Sequence, residues 1–463
     1  MKKLILLLLF IPIVSLGQNK PPVSSNVSAA TLKNTNVSIH LVSTDLDFDD
    51  LTYIIVSNPE NGTISLDGDN VTYTPNTDFL GDDSFTFKAN DGTLDSEIKT
   101  VFIKVFHSYK TIVSQKGEIL TKSNSSSTYN DKTAFNSDAS IMAVSSPFED
   151  NIDSKGSVTV YQFKDDSWSK LGEKIYGDND NDKIGQGDFS LSADGTVLAI
   201  STTNTSDRSG YVKVFKFSND TWSQLGSNIS GEPSSYFGWA VSLSADGNIV
   251  ASGAEGFDGF KGLARVFKFD GSDWVKIGDD ILGKTGDELG GMVKLSKNGK
   301  RVAVSGHGAL PAPGTGLVRV FEHINNSWEQ IGSDIKGIGT TEKQERFGLS
   351  TSFSSDGSKI TISAPYYDSS SGYLKAFEFK DNDWSQIGST FYGSRDGNAI
   401  GGYHSISNNG RVLAYNSQGI NVTYNRQKIT NVAILNDDNE WFEISSVDLV
   451  GYISMSGDGT KLS

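Results

Sequence analysis

Apolar and polar residues alternate along most of this 463-residue chain, and beyond the first few residues no window keeps the spacing of an amphipathic helix. "NVTYTP" from Asn70 and "DSFTFKAND" from Asp83 keep strict period two. Further on, short runs such as Val197-Leu198-Ala199-Ile200 and Tyr211-Val212-Lys213-Val214-Phe215 lie between Gly-, Asn- and Asp-rich turns. β-branched and aromatic enrichment with this punctuation predicts strands and hairpins, hence an all-β chain. The exception is the apolar run Leu4 to Leu16, preceded by Lys2-Lys3 and followed by Gly17. A basic start, a short hydrophobic stretch and small residues before Gln18 read as a secretory signal peptide over residues 1–17. No later stretch reaches the roughly 18 apolar residues of a membrane span, so no membrane insertion is expected.

From about Asp131 onward three motifs recur in fixed order. The first is "SLSADGTVLAIS" from Ser190, repeated as "SLSADGNIVASG" from Ser242 and in variant form from Ala134, Lys294, Ser352, Ser405 and Ser454. The second is the aromatic strand "GYVKVFKF" from Gly210 and its relatives from Gly156, Gly262, Gly316 and Gly372. The third is "WSQLG" from Trp222, with counterparts at Trp168, Trp274, Trp328 and Trp384 and a weaker one at Trp441. Tryptophan intervals of 52 to 57 residues fit units of four short strands. Such units pack radially as the blades of a β-propeller, with Phe215, Phe217 and Trp222 filling the space between blades. In the first motif Ser opens the turn, Asp bonds the local backbone and Gly takes the left-handed position. Asn replaces Asp at positions 298 and 409, which a backbone turn accepts and a catalytic carboxylate would not.

Seven copies of this motif predict seven blades, although the last copy stops within its second strand. Two readings stand open. Strands from Tyr109–Val113 and Gly117–Leu120 complete the last blade from the other chain end, or the chain is a fragment. Closure by both ends is the reading adopted, with the propeller spanning 109–463. Residues 26–107 follow another grammar: about 80 residues with seven or so short strands fit an Ig-like β-sandwich.

Residues in this first unit carry a family resemblance. "TDLDFDDLTYIIVSNPENGTISL" through "VTYTPNTDFLGDDSFTFKANDGT" resembles the cadherin-like, Ig-fold repeats of bacterial surface proteins. That resemblance implies an extracellular spacer or adhesive module, in some members stiffened by calcium. The later repeats, with Phe237-Gly238, Phe347-Gly348, "SLSADG" and "GYVKVF", resemble FG-GAP-type, integrin-like propeller repeats of secreted bacterial proteins. The leader ending in "SLGQ" is similar to those of Bacteroidetes-type bacteria. Together these imply a secreted or cell-surface location.

Composition narrows the function. The chain has no cysteine, which excludes disulfides, thiolate nucleophiles and Cys-ligated metal. A net charge of −16 repels nucleic acid and tolerates cations. Five scattered histidines and eight scattered arginines give no His-pair metal motif and no sialidase-like arginine cluster.

Calcium is the cofactor to consider. Asp45, Asp47, Asp49 and Asp50 of "DLDFDD" can converge on a hard cation if the segment is a loop, or face solvent as an acidic rim. Asp82, Asp83 and Asp91 lie in turns that could approach the same end. Asp178, Asp180 and Asp182 of "GDNDNDKIG" resemble the first half of a calcium loop. Lys183 and Phe189 stand where the full motif needs Gly and Glu, and the plain alternative is a polar connection. The most individual loop residues are Glu255, Asp258 and His307; the loop aromatics Phe257, Phe260, Tyr366 and Tyr367 could stack on a sugar or grip a peptide, or fold inward. No catalytic set emerges. The expectation is an exported, non-enzymatic surface protein whose spacer presents a propeller to an extracellular glycan or protein. The alternatives are a propeller hydrolase or lyase acting on polysaccharide, and a purely structural surface protein.

Overall fold

The period-two segments of the N-terminal unit form two facing sheets. One carries Val27–Leu32, Lys99–Phe106, Gly81–Asn90 and Thr52–Ser57 in that spatial order, and the other Val37–His40, Asn70–Pro75 and Gly62–Asp67. A short pair, Val23–Ser24 with Ser43–Thr44, lies beside them. Alternate residues point inward, so Ile39, Val71, Tyr73, Phe85, Phe87, Val101 and Ile103 make the core while their neighbours meet water. Asp83 is buried with them: its carboxylate accepts the Tyr73 hydroxyl at 2.8 Å and the backbone N–H groups of Glu60 and Asn61 at 3.1 and 3.0 Å. It fastens the "NPENG" turn rather than an open end of the sandwich.

The computed structural model describes residues 19–47, 49–106, 132–148, 155–308, 314–338, 345–393, 400–420, 426–435, 441–447, 455–457 and 459. Within these, each repeat is a four-stranded antiparallel sheet. The second, for example, runs Phe189–Leu191, Val197–Thr202, Tyr211–Ser218 and Thr221–Gln224 from inside to outside. Six such sheets are described. In four of them a two-residue strand after the tryptophan motif, such as Ile229–Ser230, returns to pair with the third strand, a detail the pattern did not predict. Helix is confined to single turns at Phe257–Phe260 and Tyr367–Ser370.

Each motif has a job between blades. The Trp222 indole N–H donates to the carbonyl of Leu171 at 2.8 Å, and Trp274 donates to Leu225 in the same way. Trp328 reaches Ile277 and Trp384 reaches Ile331. The Trp and the Leu/Ile of "WSQLG" are therefore two halves of one contact repeated from blade to blade. A side chain on Gly226 would sit 2.9 Å from the Trp274 ring, which accounts for the final glycine of the motif. Trp441, in the weaker copy, is buried but its N–H has no partner among the described residues.

The opening motif is a hairpin turn. The Ser192 hydroxyl donates to Asp194 at 2.6 Å and accepts the Val197 N–H at 2.9 Å, and Asp194 accepts the Thr196 N–H. Asn298 and Asn409 make the same bonds with their amide oxygens. Gly195 has φ +74°, and a Cβ there would lie 2.7 Å from Ile141 of the preceding blade.

These turns also bond to one another. Ser137 N donates to Ala193 O, Ala193 N to Ala245 O, Ala245 N to Lys297 O and Lys297 N to Ser355 O. Ser355 N then donates to Asn408 O, Asn408 N to Gly457 O, and Gly457 N back to Ser137 O. The seven turns thus form one cycle of backbone hydrogen bonds at distances of 2.6 to 3.0 Å. The strands expected to complete the last blade, Tyr109–Val113 and Gly117–Leu120, lie outside the described residues, as does most of 454–463.

The Ig-like unit sits on this ring. Leu41 and Val42 share an apolar cluster with Ala193 and Ala245, and the Thr44 hydroxyl donates to Asp246 at 2.6 Å. A cavity of about 180 Å³ remains beside the contact, bounded by Ser38, His40 and Asn70 on one side and Asp356, Lys359 and Arg411 on the other. The expected spacer is a cap on the turn end.

Candidate functional site

Up-and-down sheets put the first and third turns of every blade at one end. The loops joining second to third strand, and those joining one blade to the next, emerge at the other end. With the Ig-like unit on the turn end, the loop end is the face left for a ligand.

Two repeat-breaking residues meet there. Glu255 directly follows the second strand Ile249–Ala254, and His307 follows Arg301–Gly306, the same position one blade on. Glu255 Oε2 lies 3.5 Å from His307 Nε2, with the two side chains 15% and 9% exposed. His307 Nδ1 is buried without a hydrogen-bond partner among the described residues. Burial, with a smaller contribution from the nearby Arg346 charge, pushes the imidazole down to about 4. Burial and then the Glu288 carboxylate push Glu255 up to about 7, against the opposing pull of Arg346. Near neutral pH the imidazole is uncharged and the carboxyl is shared between its two forms. Together they offer a hydrogen-bond donor and acceptors with little net charge.

The same loop end exposes aromatic rings. Arg346 lies over the Tyr366 ring at 5.3 Å, and Tyr366 is 47% exposed. Phe260 is 50% exposed in the loop that begins at Glu255. The other two predicted aromatics turn inward. Phe257 packs on the core between the second and third blades, and Tyr367 stands edge-on to Tyr373 at 5.0 Å. Asp258 pairs with Lys261 at 2.6 Å on the surface. Trp239, 43% exposed in the connection into the third blade, was not singled out from the sequence. The residue at that place varies between repeats, Gln186, Gly291, Leu349 and Gly402 being its counterparts, and among them Trp239 is the aromatic one.

The two acidic segments behave differently. Asp178 pairs with Lys213, and Asp180 approaches Lys155 at 3.8 Å. Asp182, 3% exposed, accepts the Tyr211 hydroxyl at 2.6 Å and the Asn179 N–H at 2.8 Å. Asp287 repeats the Asp182 role by accepting Lys284 N and Arg319. These carboxylates tie a connection to the next blade. In the other segment Asp45 is buried, and its Oδ1 accepts the N–H groups of Asp47 and Asp49. Asp45 Oδ2 is buried with no hydrogen-bond partner among the described residues, Asp47 accepts Lys20 N, and Asp49 and Asp50 are exposed. Among the described residues no three acidic or histidine side chains gather as a metal site. Nor does any described helix have the length and apolarity to cross a membrane.

Residues 19–104 match the bacterial Ig domain family. Bacterial Ig domains are typical of surface proteins, and here one is joined to a propeller. No curated protein matches the chain. Among solved structures it is similar to a protein from Lactobacillus plantarum, at 11% identity and a TM-score of 0.48, covering 82% of this chain and 94% of that one. It is also similar to a 6-phosphogluconolactonase-like protein from Bacteroides uniformis, at 12% identity and a TM-score of 0.46, covering 72% and 87%. The RRP9 WD40 repeats match at 11% identity and a TM-score of 0.47, covering 73% and 87%.

Proposed function

We propose that this is an exported, non-enzymatic surface protein whose propeller binds an extracellular glycan through its loop face. The observation that carries this reading is the nearly neutral Glu255–His307 pair on a loop face that also exposes the rings of Trp239, Phe260 and Tyr366. Aromatic rings take the apolar faces of a sugar, while a carboxyl and an imidazole match its hydroxyls. The secretory leader, the FG-GAP-type character of the repeats and the acidic surface belong to the same proposal. Calcium at Asp45, Asp47 and Asp49 belongs to it too, supported by Asp45 Oδ2, buried without a hydrogen-bond partner among the described residues. Isothermal titration with calcium, repeated on Asp45→Asn, tests that part; no heat at millimolar calcium rules it out.

A glycan array probed with the full chain tests the main reading. Binding to one sugar class, lost in Trp239→Ala and Tyr366→Ala, is the expected result. An empty array, or binding untouched by both changes, overturns it. Glu255 gives a specific reason to keep a second reading, because a carboxyl near 7 beside Glu288 has the character of a general acid for polysaccharide cleavage. Product release from a polysaccharide panel, abolished by Glu255→Gln, would favour that hydrolase or lyase reading.

A further inference from the structure

The inner strands line the axis of the ring, and at one step a single blade carries a charge where most carry serine. Burial alternates along several of these strands, as in Phe189–Leu191, Leu289–Leu295 and His404–Ile406, so Ser190, Lys294 and Ser405 stay partly open to solvent in a channel, while Ser242 is buried. Interblade bonds fix the equivalences: Leu243 N donates to Ser190 Oγ, Leu295 N to Ser242 Oγ and Ile406 N to Ser352 Oγ, at 3.0 to 3.1 Å. At this step four blades present serine, at 190, 242, 352 and 405, the first blade presents Ala134, and the fourth presents Lys294. Ser190, Ser242 and Ser352 use their oxygens as acceptors, and their hydroxyl protons have no acceptor among the described residues.

Lys294 has no hydrogen-bond or ion-pair partner among the described residues, yet its charge is felt on several sides. It adds to the burial that lowers Lys132 and His404, from the first and sixth blades, and Lys297 in the ring of turns. Two residues nearer the loop end, Lys132 donates to the Gly187 carbonyl and faces the Asp188 carboxylate. The described lining therefore holds two ammonium groups against one carboxylate, inside a chain whose net charge is −16. Enclosed excess charge is costly unless something of opposite sign meets it. The bonded turns and the Ig-like cap close one end of the channel, so access is from the loop face.

We propose that the channel binds a small oxyanion (carboxylate, sulfate or phosphate), with Lys294 as its cation and the serine hydroxyls as further donors. The arrangement supplies one fixed charge and several convergent O–H groups, which suits an anion with several acceptor oxygens. Calorimetric titration of the full chain with inorganic sulfate and phosphate tests it, beside a monosaccharide sulfate. Saturable binding is expected, weakened about tenfold or more in Lys294→Met and retained in Lys294→Arg. Lys380→Met, on the outer surface, should bind like the parent. Tighter binding of the sugar sulfate means the anion arrives on a glycan, and equal binding means a free ion; both outcomes support the site. No uptake by the parent chain, or equal uptake by Lys294→Met, overturns it. If Lys294→Met does not fold, Ser242→Ala serves instead, with a smaller expected loss and the same meaning for an unchanged affinity.

Discussion

The two ends of the propeller are built from the same repeats and follow opposite rules. At the turn end every blade offers nearly the same residues, and each is consumed: Ser and Asp or Asn make the hairpin, the next residue joins the ring, and Gly lets the preceding blade approach. At the loop end equivalent positions differ, with Glu255, His307 and Pro365 each following a second strand. Repetition there would gain nothing for the ring, so individuality marks residues free to meet something else. The Ig-like unit covers the uniform end and leaves the varied one open.

The sharpest way to break this contrast is to damage an interblade contact. Trp328→Ala removes a buried ring and its bond to Ile277, and should cost about 3–5 kcal/mol, read as a lowered denaturant midpoint. Gly195→Val forces a β-branched residue into left-handed backbone against Ile141, and should lower the melting temperature by an amount equivalent to about 1–3 kcal/mol.

At the loop end the effects should appear in pH dependence. Glu255 has a folded value near 7, above its ordinary 4.5, so its charged form is penalised in the fold. Stability should therefore rise as pH falls through 7 toward 4.5, with about 0.8 kcal/mol of that rise between pH 8 and 6.5. His307 acts in the opposite sense: with a folded value near 4, its contribution is present above 6.5 and is lost as pH falls from 6.5 toward 4. Melting curves from pH 8 to 6.5 should show the rise in the parent and not in Glu255→Gln. A flat parent profile would remove the buried-carboxyl reading. Smallest of all should be Asp194→Asn, within about 0.5 kcal/mol, because only an acceptor oxygen is used there. Asp194→Ala should cost about 1 kcal/mol in the same melts.

What could be read from the sequence follows the same division. Strands, turns, blades and the sandwich were legible because their periodicity is local and repeated. The role of the Leu–Gly in "WSQLG" was not, since its partner tryptophan lies about 50 residues away in the next blade. Glu255 and His307 were visible as individuals but not as a pair, because two loops of different blades bring them together. Phe257 and Phe260 show the limit most plainly: three residues apart in one loop, one enters the core and the other faces water. The Asp178–Asp182 run looked like a ligand set because Lys213 and Tyr211 arrive from a strand some 30 residues later.

The cycle of turns sets a timetable for folding. Six of its seven bonds join turns about 50 to 60 residues apart, so they can form as neighbouring blades appear. The seventh joins Gly457 to Ser137, about 320 residues apart, and waits until nearly the whole described chain has emerged. Until then the first and last blades have exposed flanks, and strand edges left open in this way invite pairing with other chains. The Ig-like unit, made first and resting on Ala193 and Ala245, is placed to hold the early blades in register while the ring is incomplete.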